Sequence, residues 1–394
     1  MDLTIYPGKL SGEIQAIPSK SQAHRLLICA AFSDRETLLE CPQTNADIEA
    51  TAQCLNAFGA KIVRTQSGYR VTPVAKLPET AAMDCAESGS TLRFLLPVVC
   101  ALGIQATIQM HGRLPYRPLS PLWEELERMG AILTRPTETT IQATGKLHSG
   151  DFKIGGNVSS QYISGLLFAT TLLDGSSTIQ ITGTLESKPY VDMTQLALKT
   201  FGVRTENFQV SGSYPFHSPG KLSVEGDWSN AAFFLAAKAL GNPVEVQNLN
   251  MDSPQGDRAV IDILSNTEGL PTVSAADIPD LVPILAATFG AKNGIVFTDI
   301  ARLRLKESDR VASVCNMLNR LGAEATATEN TLTVMPGSYH GCTIDAVNDH
   351  RIAMAAAIAA TVADGPVTIL GAECVSKSYP SFWEEYKKLG GRYE

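Results

Sequence analysis

The chain has 394 residues, too many for one ordinary hydrophobic core and enough for two. Hydrophobic residues make up 44% and charged residues 18%, a globular composition that excludes a disordered or low-complexity protein. A formal net charge of -8 excludes a nucleic-acid footprint, so cations for any anionic ligand must be placed locally. The longest uncharged apolar stretches, 94–104 and 352–363, fall short of the ~20 residues that a bilayer span requires. No membrane association is expected. Met1-Asp2-Leu3-Thr4-Ile5 lacks the basic region and apolar run of an export signal, which predicts a cytoplasmic protein. The 8 cysteines show no CxxC spacing and sit mostly in apolar patterns, so buried reduced thiols are expected, with no disulfides and no zinc.

In chain order, a short polar segment followed by an Ala/Leu-rich helical run recurs six times, starting near Ser21, Ser88, Ser159, Ser229, Asp277 and Asn348. A second, amphipathic helix follows each run. It is predicted to stop at Gly59, Gly130, Gly202, Gly269, Gly322 and Gly390, where a left-handed backbone suits glycine. Beyond these glycines the chain alternates apolar and polar residues around turn signals, as in ILTRPTETTIQATG, which reads as strand, turn, strand. Each unit is thus helix, strand-rich link, helix. The link after Gly269 is much the shortest, so one hairpin is expected to be missing there.

Ser, Asp or Asn at each start suits an N-cap, and singly each reads as a cap. Six together also suggest anion binding, because helix starts carry partial positive charge and free donors. Lys20, Arg25, Arg93 and Arg351 are expected in these first turns, where a cation opposes the helix dipole unless an anion lies between.

The motifs follow the same order. In Ser19-Lys20-Ser21-Gln22-Ala23-His24-Arg25, Lys20, Ser21 and Arg25 could reach one anion. Glu87-Ser88-Gly89-Ser90-Thr91-Leu92-Arg93 has a glycine that lets backbone approach a ligand, but no GK[ST] ending of a Walker loop. Gly112 to Pro118 is a rigid turn presenting Arg113 and Arg117. Ser159-Ser160-Gln161 offers hydroxyls and an amide, and Ser187-Lys188-Pro189-Tyr190 a fixed loop. Asp277-Ile278-Pro279-Asp280 places a carboxylate in a helix's first turn, among apolar residues expected to raise its pKa. The densest cluster is Arg302 to Arg310, with Lys306 and Arg310 on one helical face beside Glu307. Asn348-Asp349-His350-Arg351 and Ser376-Lys377-Ser378-Tyr379-Pro380 complete the set. None has metal-ligand spacing, so no metal and no cofactor are expected.

The strings SKS, SSQ, SKPY, KESDR, NDHR and SKSYP, in this order from Lys20 to Lys377, resemble the 5-enolpyruvylshikimate-3-phosphate synthase family. The resemblance implies an α/β (α+β) fold, a two-lobed inside-out α/β barrel with three βαβαββ repeats per lobe. One lobe would comprise 1–18 plus 225–394, the other 19–224, with the active site in the cleft between them. It also implies a monomer acting on two small molecules, shikimate 3-phosphate and phosphoenolpyruvate. Shikimate 3-phosphate would meet Lys20, Ser21, Arg25, Ser159, Ser160, Gln161, Ser187, Tyr190, Asp280 and Lys306. Phosphoenolpyruvate would meet Lys20, Gly89, Arg117, Gln161, Arg310, Arg351 and Lys377. Asp280, Glu307 and Lys20 would be catalytic. Ile17-Pro18, Glu87, Phe94 and Arg302 depart from the commonest family pattern, and Arg302 stands where an asparagine often touches the shikimate phosphate. UDP-N-acetylglucosamine enolpyruvyl transferase is the nearest alternative, but its Lys-Asn pair and cysteine-bearing loop are missing here. A non-catalytic phosphate-binding module is the alternative from another class.

Overall fold

The computed structural model describes residues 1–213, 215–266 and 268–394. The chain divides into two compact units, Met1–Ile17 with Glu225–Glu394, and Pro18–Val224. Each holds its own apolar core.

In the Pro18–Val224 unit there are three sheets. Lys221–Ser223 pairs parallel with Thr37–Glu40, which continues antiparallel to Gly68–Thr72 and then Lys61–Arg64. Thr80–Asp84, Gln105–Gln109, Thr140–Gly145 and Ala131–Thr137 repeat that pattern. The third sheet has Asp151–Gly155, Ser176–Thr182 and Gln209–Ser211. A helix leads into one strand of each parallel pair, and in the last two sheets it is the crossover that parallel strands require. These are Lys20–Ala31, Gly89–Leu102 and Ser160–Thr171, buried nearly all round. The last two cross so closely that a Cβ on Gly165 would run into the carbonyl oxygen of Arg93. Glycine there sets the helix spacing.

The other unit repeats the plan. Thr272–Ser274, Ile295–Thr298, Thr331–Met335 and Glu324–Ala327 form one four-stranded sheet. Cys342–Asp345, Val367–Leu370, Leu3–Tyr6 and Arg392–Tyr393 form the next, its final hairpin replaced by the two chain ends. Among the described residues the third has only Gly12–Gln15 and Val244–Gln247. Its missing hairpin belongs to the repeat whose link after Gly269 is short. The corresponding helices are Trp228–Ala239, Val282–Gly290 and His350–Ala360. Every residue from His350 to Ala360 is buried, as expected of a helix apolar on all faces.

All six glycines predicted to end the second helices have positive φ. Gly269 lies beyond the end of its helix, Val260–Ser265, and Thr267, within the stretch expected to be helical there, is outside the described residues. Among the described residues no helix is long and apolar enough to cross a membrane.

Candidate functional site

The sequence-predicted residues gather at the N-terminal ends of the buried helices, one set on each unit. In the Pro18–Val224 unit, the cap of the first helix is Ser19, whose side chain accepts from the Gln22 N–H; Lys20 is the first helical residue. Lys20 Nζ lies 3.0 Å from Asp47 Oδ2, an acid in the first turn of the Ala46–Ala57 helix. That pairing offsets the helix dipole that opposes a lysine here. Arg25 sits a turn further in and is buried. Its Nε donates to Thr194 Oγ1 at 2.8 Å, Nη1 to the Ser21 carbonyl at 2.5 Å and Nη2 to the Tyr190 carbonyl at 2.8 Å. The guanidinium stands 5.0 Å from the centre of the Phe94 ring. Burial pulls its pKa down to about 10. One buried cation thus ties together two of the expected ligand positions, Ser21 and Tyr190. Ser187, also buried, has a left-handed backbone (φ 55) immediately before the Lys188–Thr200 helix.

The second grouping surrounds Gly89. Ser88 caps that helix, its side chain accepting from the Thr91 N–H. A Cβ on Gly89 would lie 2.7 Å from Arg93 Nη1 and 2.9 Å from Arg117 Nη1. A side chain at this position would displace the two guanidinium groups that close over its Cα. Arg93 Nη1 donates to Gln161 Oε1 at 2.9 Å, and Gln161 Nε2 donates to Ser90 Oγ at 2.9 Å. Ser159 caps the third helix, placing buried Ser160 and half-buried Gln161 in its first turn. Two helix starts and two arginines meet here, an arrangement whose chemistry suits an anion.

In the other unit the centre is Arg310, buried at 1% side-chain exposure. Its Nη1 donates to Asp280 Oδ1 at 2.8 Å, Nη2 to Glu307 Oε2 at 2.6 Å and Nε to Asp349 Oδ2 at 3.1 Å. Arg351 Nη2 donates to Asp280 Oδ2 at 2.9 Å and to Ser229 Oγ at 3.0 Å. Burial alone would raise the Asp280 pKa, but Arg351, Lys306 and Arg310 together hold it well below the usual carboxylate range. Lys306 is brought down to about 8 by burial, with Arg302 and Arg310 adding to the effect and Asp280 opposing it. Lys377 Nζ donates to the Asn348 carbonyl at 3.3 Å, beside the cap of the last buried helix.

Five expectations need correction. Lys306 and Arg310 do not share a helical face: Lys306 follows the short Ala301–Leu305 helix with an extended backbone, and the next helix begins at Arg310. Asp280 is not in a helical turn: the helix begins at Val282 with Leu281 as its cap, and Pro279 and Asp280 lie in the preceding turn. Its pKa moves down, because three cations outweigh its apolar neighbours. Arg25 and Arg93 lie in the second turns of their helices, not the first. Ser229, expected as a helix cap, instead supplies a hydroxyl and a carbonyl to Arg351, while the cap itself is Asp227. Asp47, Thr194 and Asp349 were not singled out as partners. Each is a residue type that caps or punctuates a helix anyway, so sequence carries no signal of what it holds.

Comparison with known proteins adds lineage to this geometry. A family model described as EPSP synthase (3-phosphoshikimate 1-carboxyvinyltransferase) matches residues 5–273 and 268–386. A 3-phosphoshikimate 1-carboxyvinyltransferase of Clostridium acetobutylicum is 39% identical, covering 98% of this chain and 97% of that relative. The chain belongs to the EPSP synthase family. A relative of the same description from Clostridium beijerinckii is 37% identical over 100% of this chain and 98% of its own length. The fold matches too: an EPSP synthase structure from Acinetobacter baumannii aligns with TM-score 0.82 at 24% identity, covering 100% of this chain and 99% of that one. An enolpyruvyl transferase structure from Streptomyces tendae gives 0.79 at 16% identity, covering 100% and 98%. The chain is therefore an enzyme with the mixed α/β fold of these transferases.

Proposed function

We infer that this EPSP synthase family member transfers the enolpyruvyl group of phosphoenolpyruvate to the 5-hydroxyl of shikimate 3-phosphate, releasing phosphate, in aromatic amino-acid biosynthesis. The observation that carries the reading at residue level is the pair of carboxylates, Asp280 and Glu307, held on one buried arginine. Binding an anion needs cations only. An addition-elimination also needs a base and an acid.

In the first step the 5-hydroxyl oxygen bonds to C2 of phosphoenolpyruvate and gives up its proton, while C3 gains one. Asp280 takes the hydroxyl proton and Glu307 supplies the proton to C3. In the second step Glu307 takes a proton back from C3, the double bond returns as the C2–O bond to phosphate breaks, and the proton on Asp280 leaves with the phosphate. Asp280 is ionised at rest but weakly basic, because arginines and Lys306 hold its charge. Substrate anions that engage these cations raise its basicity where it is needed. Lys20 and Lys377 are assigned to the departing phosphate. Shikimate 3-phosphate is assigned to Lys20, Ser21, Arg25, Ser159, Ser160, Gln161, Ser187, Tyr190, Asp280 and Lys306, and phosphoenolpyruvate to Lys20, Gly89, Arg117, Gln161, Arg310, Arg351 and Lys377. The two compact units are proposed as the family's two lobes, and the enzyme as a cytoplasmic monomer. The test is release of phosphate from shikimate 3-phosphate and phosphoenolpyruvate; no turnover at saturation refutes the reading.

Two expected results follow from the geometry. Gly89→Ala pushes a methyl into Arg93 and Arg117. It should cost about tenfold to a hundredfold in kcat/KM for phosphoenolpyruvate, with KM for shikimate 3-phosphate little changed, in steady-state kinetics varying each substrate in turn. Lys306 carries its charge below its lowered pKa of about 8 and loses it above. Since the charged form attracts the phosphate, kcat/KM for shikimate 3-phosphate should fall about tenfold per pH unit above that value. Lys306→Arg should flatten the fall. A fall that persists in this variant would assign it elsewhere.

A further inference from the structure

The reaction as proposed uses two of the three carboxylates on Arg310. The third, Asp349, is fully buried. Its Oδ1 accepts from the Arg351 N–H at 3.0 Å and caps the His350–Ala360 helix. Its Oδ2 accepts from Ser308 Oγ at 3.0 Å and from Arg310 Nε at 3.1 Å. A cap needs only the first of these contacts. A carboxylate here is costly to desolvate, and a serine or asparagine would cap equally well. The excess is explained by what Arg310 does with its three edges: Nε faces Asp349, Nη1 faces Asp280, Nη2 faces Glu307. Only the edge facing Asp349 points at a group with no role in the proposed chemistry.

We infer that Asp349 is a positioning residue that acts through Arg310. It fixes the plane of the guanidinium and takes up part of its charge, and so sets how tightly Glu307 and Asp280 hold their protons. The inference rests on the acid and base roles assigned above. Without Asp349 the full charge of Arg310 would bear on the other two carboxylates. Glu307 would then give up its proton at lower pH and be lost as an acid. Asp349 also fixes the backbone at Arg351, the second cation on Asp280. One side chain therefore governs both arginines that grip the base.

The charged and titratable groups around these carboxylates are Arg310, Arg351 and Lys306 about Asp280 and Glu307, with Cys374 and the buried His350 near Asp349. The cysteine is held neutral, its pKa pushed up to about 12 chiefly by burial. Lys306 titrates near 8 in the free protein, but bound phosphate keeps it charged when substrates saturate.

The test is the pH profile of kcat at saturation with both substrates, for the wild type, Asp349→Asn, Asp349→Ser and Asp349→Glu. The first two remove the charge. Serine also preserves the cap, so it remains usable if asparagine impairs folding as judged by circular dichroism. Expected is a basic limb displaced to lower pH by roughly one unit in both, and returned toward the wild-type position by Asp349→Glu even if its rate is lower. Lower rates with the limb in place in the folded variants would leave Asp349 a mere cap and overturn the inference. Displacement that Asp349→Glu fails to reverse would overturn it as well, by showing that charge is not the cause. Absence of turnover in the wild type would instead refute the proposed reaction itself.

Discussion

Asp280→Asn should lower kcat by about a thousandfold while changing KM for either substrate by only a few fold, the signature of a group needed in the transition state. Asparagine is the informative replacement because of where the carboxylate sits. Its two oxygens receive Arg310 and Arg351, both almost completely buried. Alanine would take a carboxylate away from both cations, and breaking buried pairs costs about 3–5 kcal/mol, so lost activity could then be lost folding. Asparagine keeps the shape and one acceptor but cannot accept the hydroxyl proton. Phosphate release measured with each substrate in turn separates the outcomes: comparable losses in kcat and in affinity would make Asp280 a ligand only. The low pKa adds a further constraint. In the free enzyme Asp280 stays ionised through the neutral and mildly acidic range, so a fall in kcat/KM between pH 7 and 5 must come from another group.

Arg310→Met should have the largest effect on stability of any single change in the site. Removing this cation leaves Asp280, Glu307 and Asp349 facing one another, and Asp349 is wholly buried. Stranding buried charge costs about 3–5 kcal/mol. For a unit of this size that is a fall of roughly 10 °C in Tm, read by thermal denaturation at pH 7. Arg310→Lys should recover little of it, because a single ammonium cannot present three planar edges to three carboxylates. A lysine variant as stable as the wild type would show that charge alone, without the fork, holds the cluster. Lowering the pH should narrow the difference between Arg310→Met and the wild type, since protonation relieves the three-way repulsion.

The repeat architecture was legible because its signals are local. A capping side chain satisfies N–H groups two or three residues away, and a glycine with positive φ ends the helix beside it. The short link after Gly269 translated directly into a two-stranded sheet, Gly12–Gln15 with Val244–Gln247. The pairing that completes that sheet was not legible, since nothing in either strand names a partner more than two hundred residues away. Misplacing Asp280 in a helical turn has a local cause: Pro279 resembles a helix-start proline, but the first-turn proline is Pro283.

The sequence by itself determined the residue types and their order: six helix starts, a glycine at the second of them, and the motifs that resemble one enolpyruvyl transferase family. Only the tertiary structure decided which charges oppose which. Arg310 and Asp349 are 39 residues apart, Arg351 and Asp280 71, and Arg25 and Tyr190 165. Such pairs form where helix starts converge, and their electrostatics fall off with distance in space, not along the chain. That is why apolar neighbours in sequence suggested a raised pKa for Asp280, and three cations brought to it by folding lower it instead.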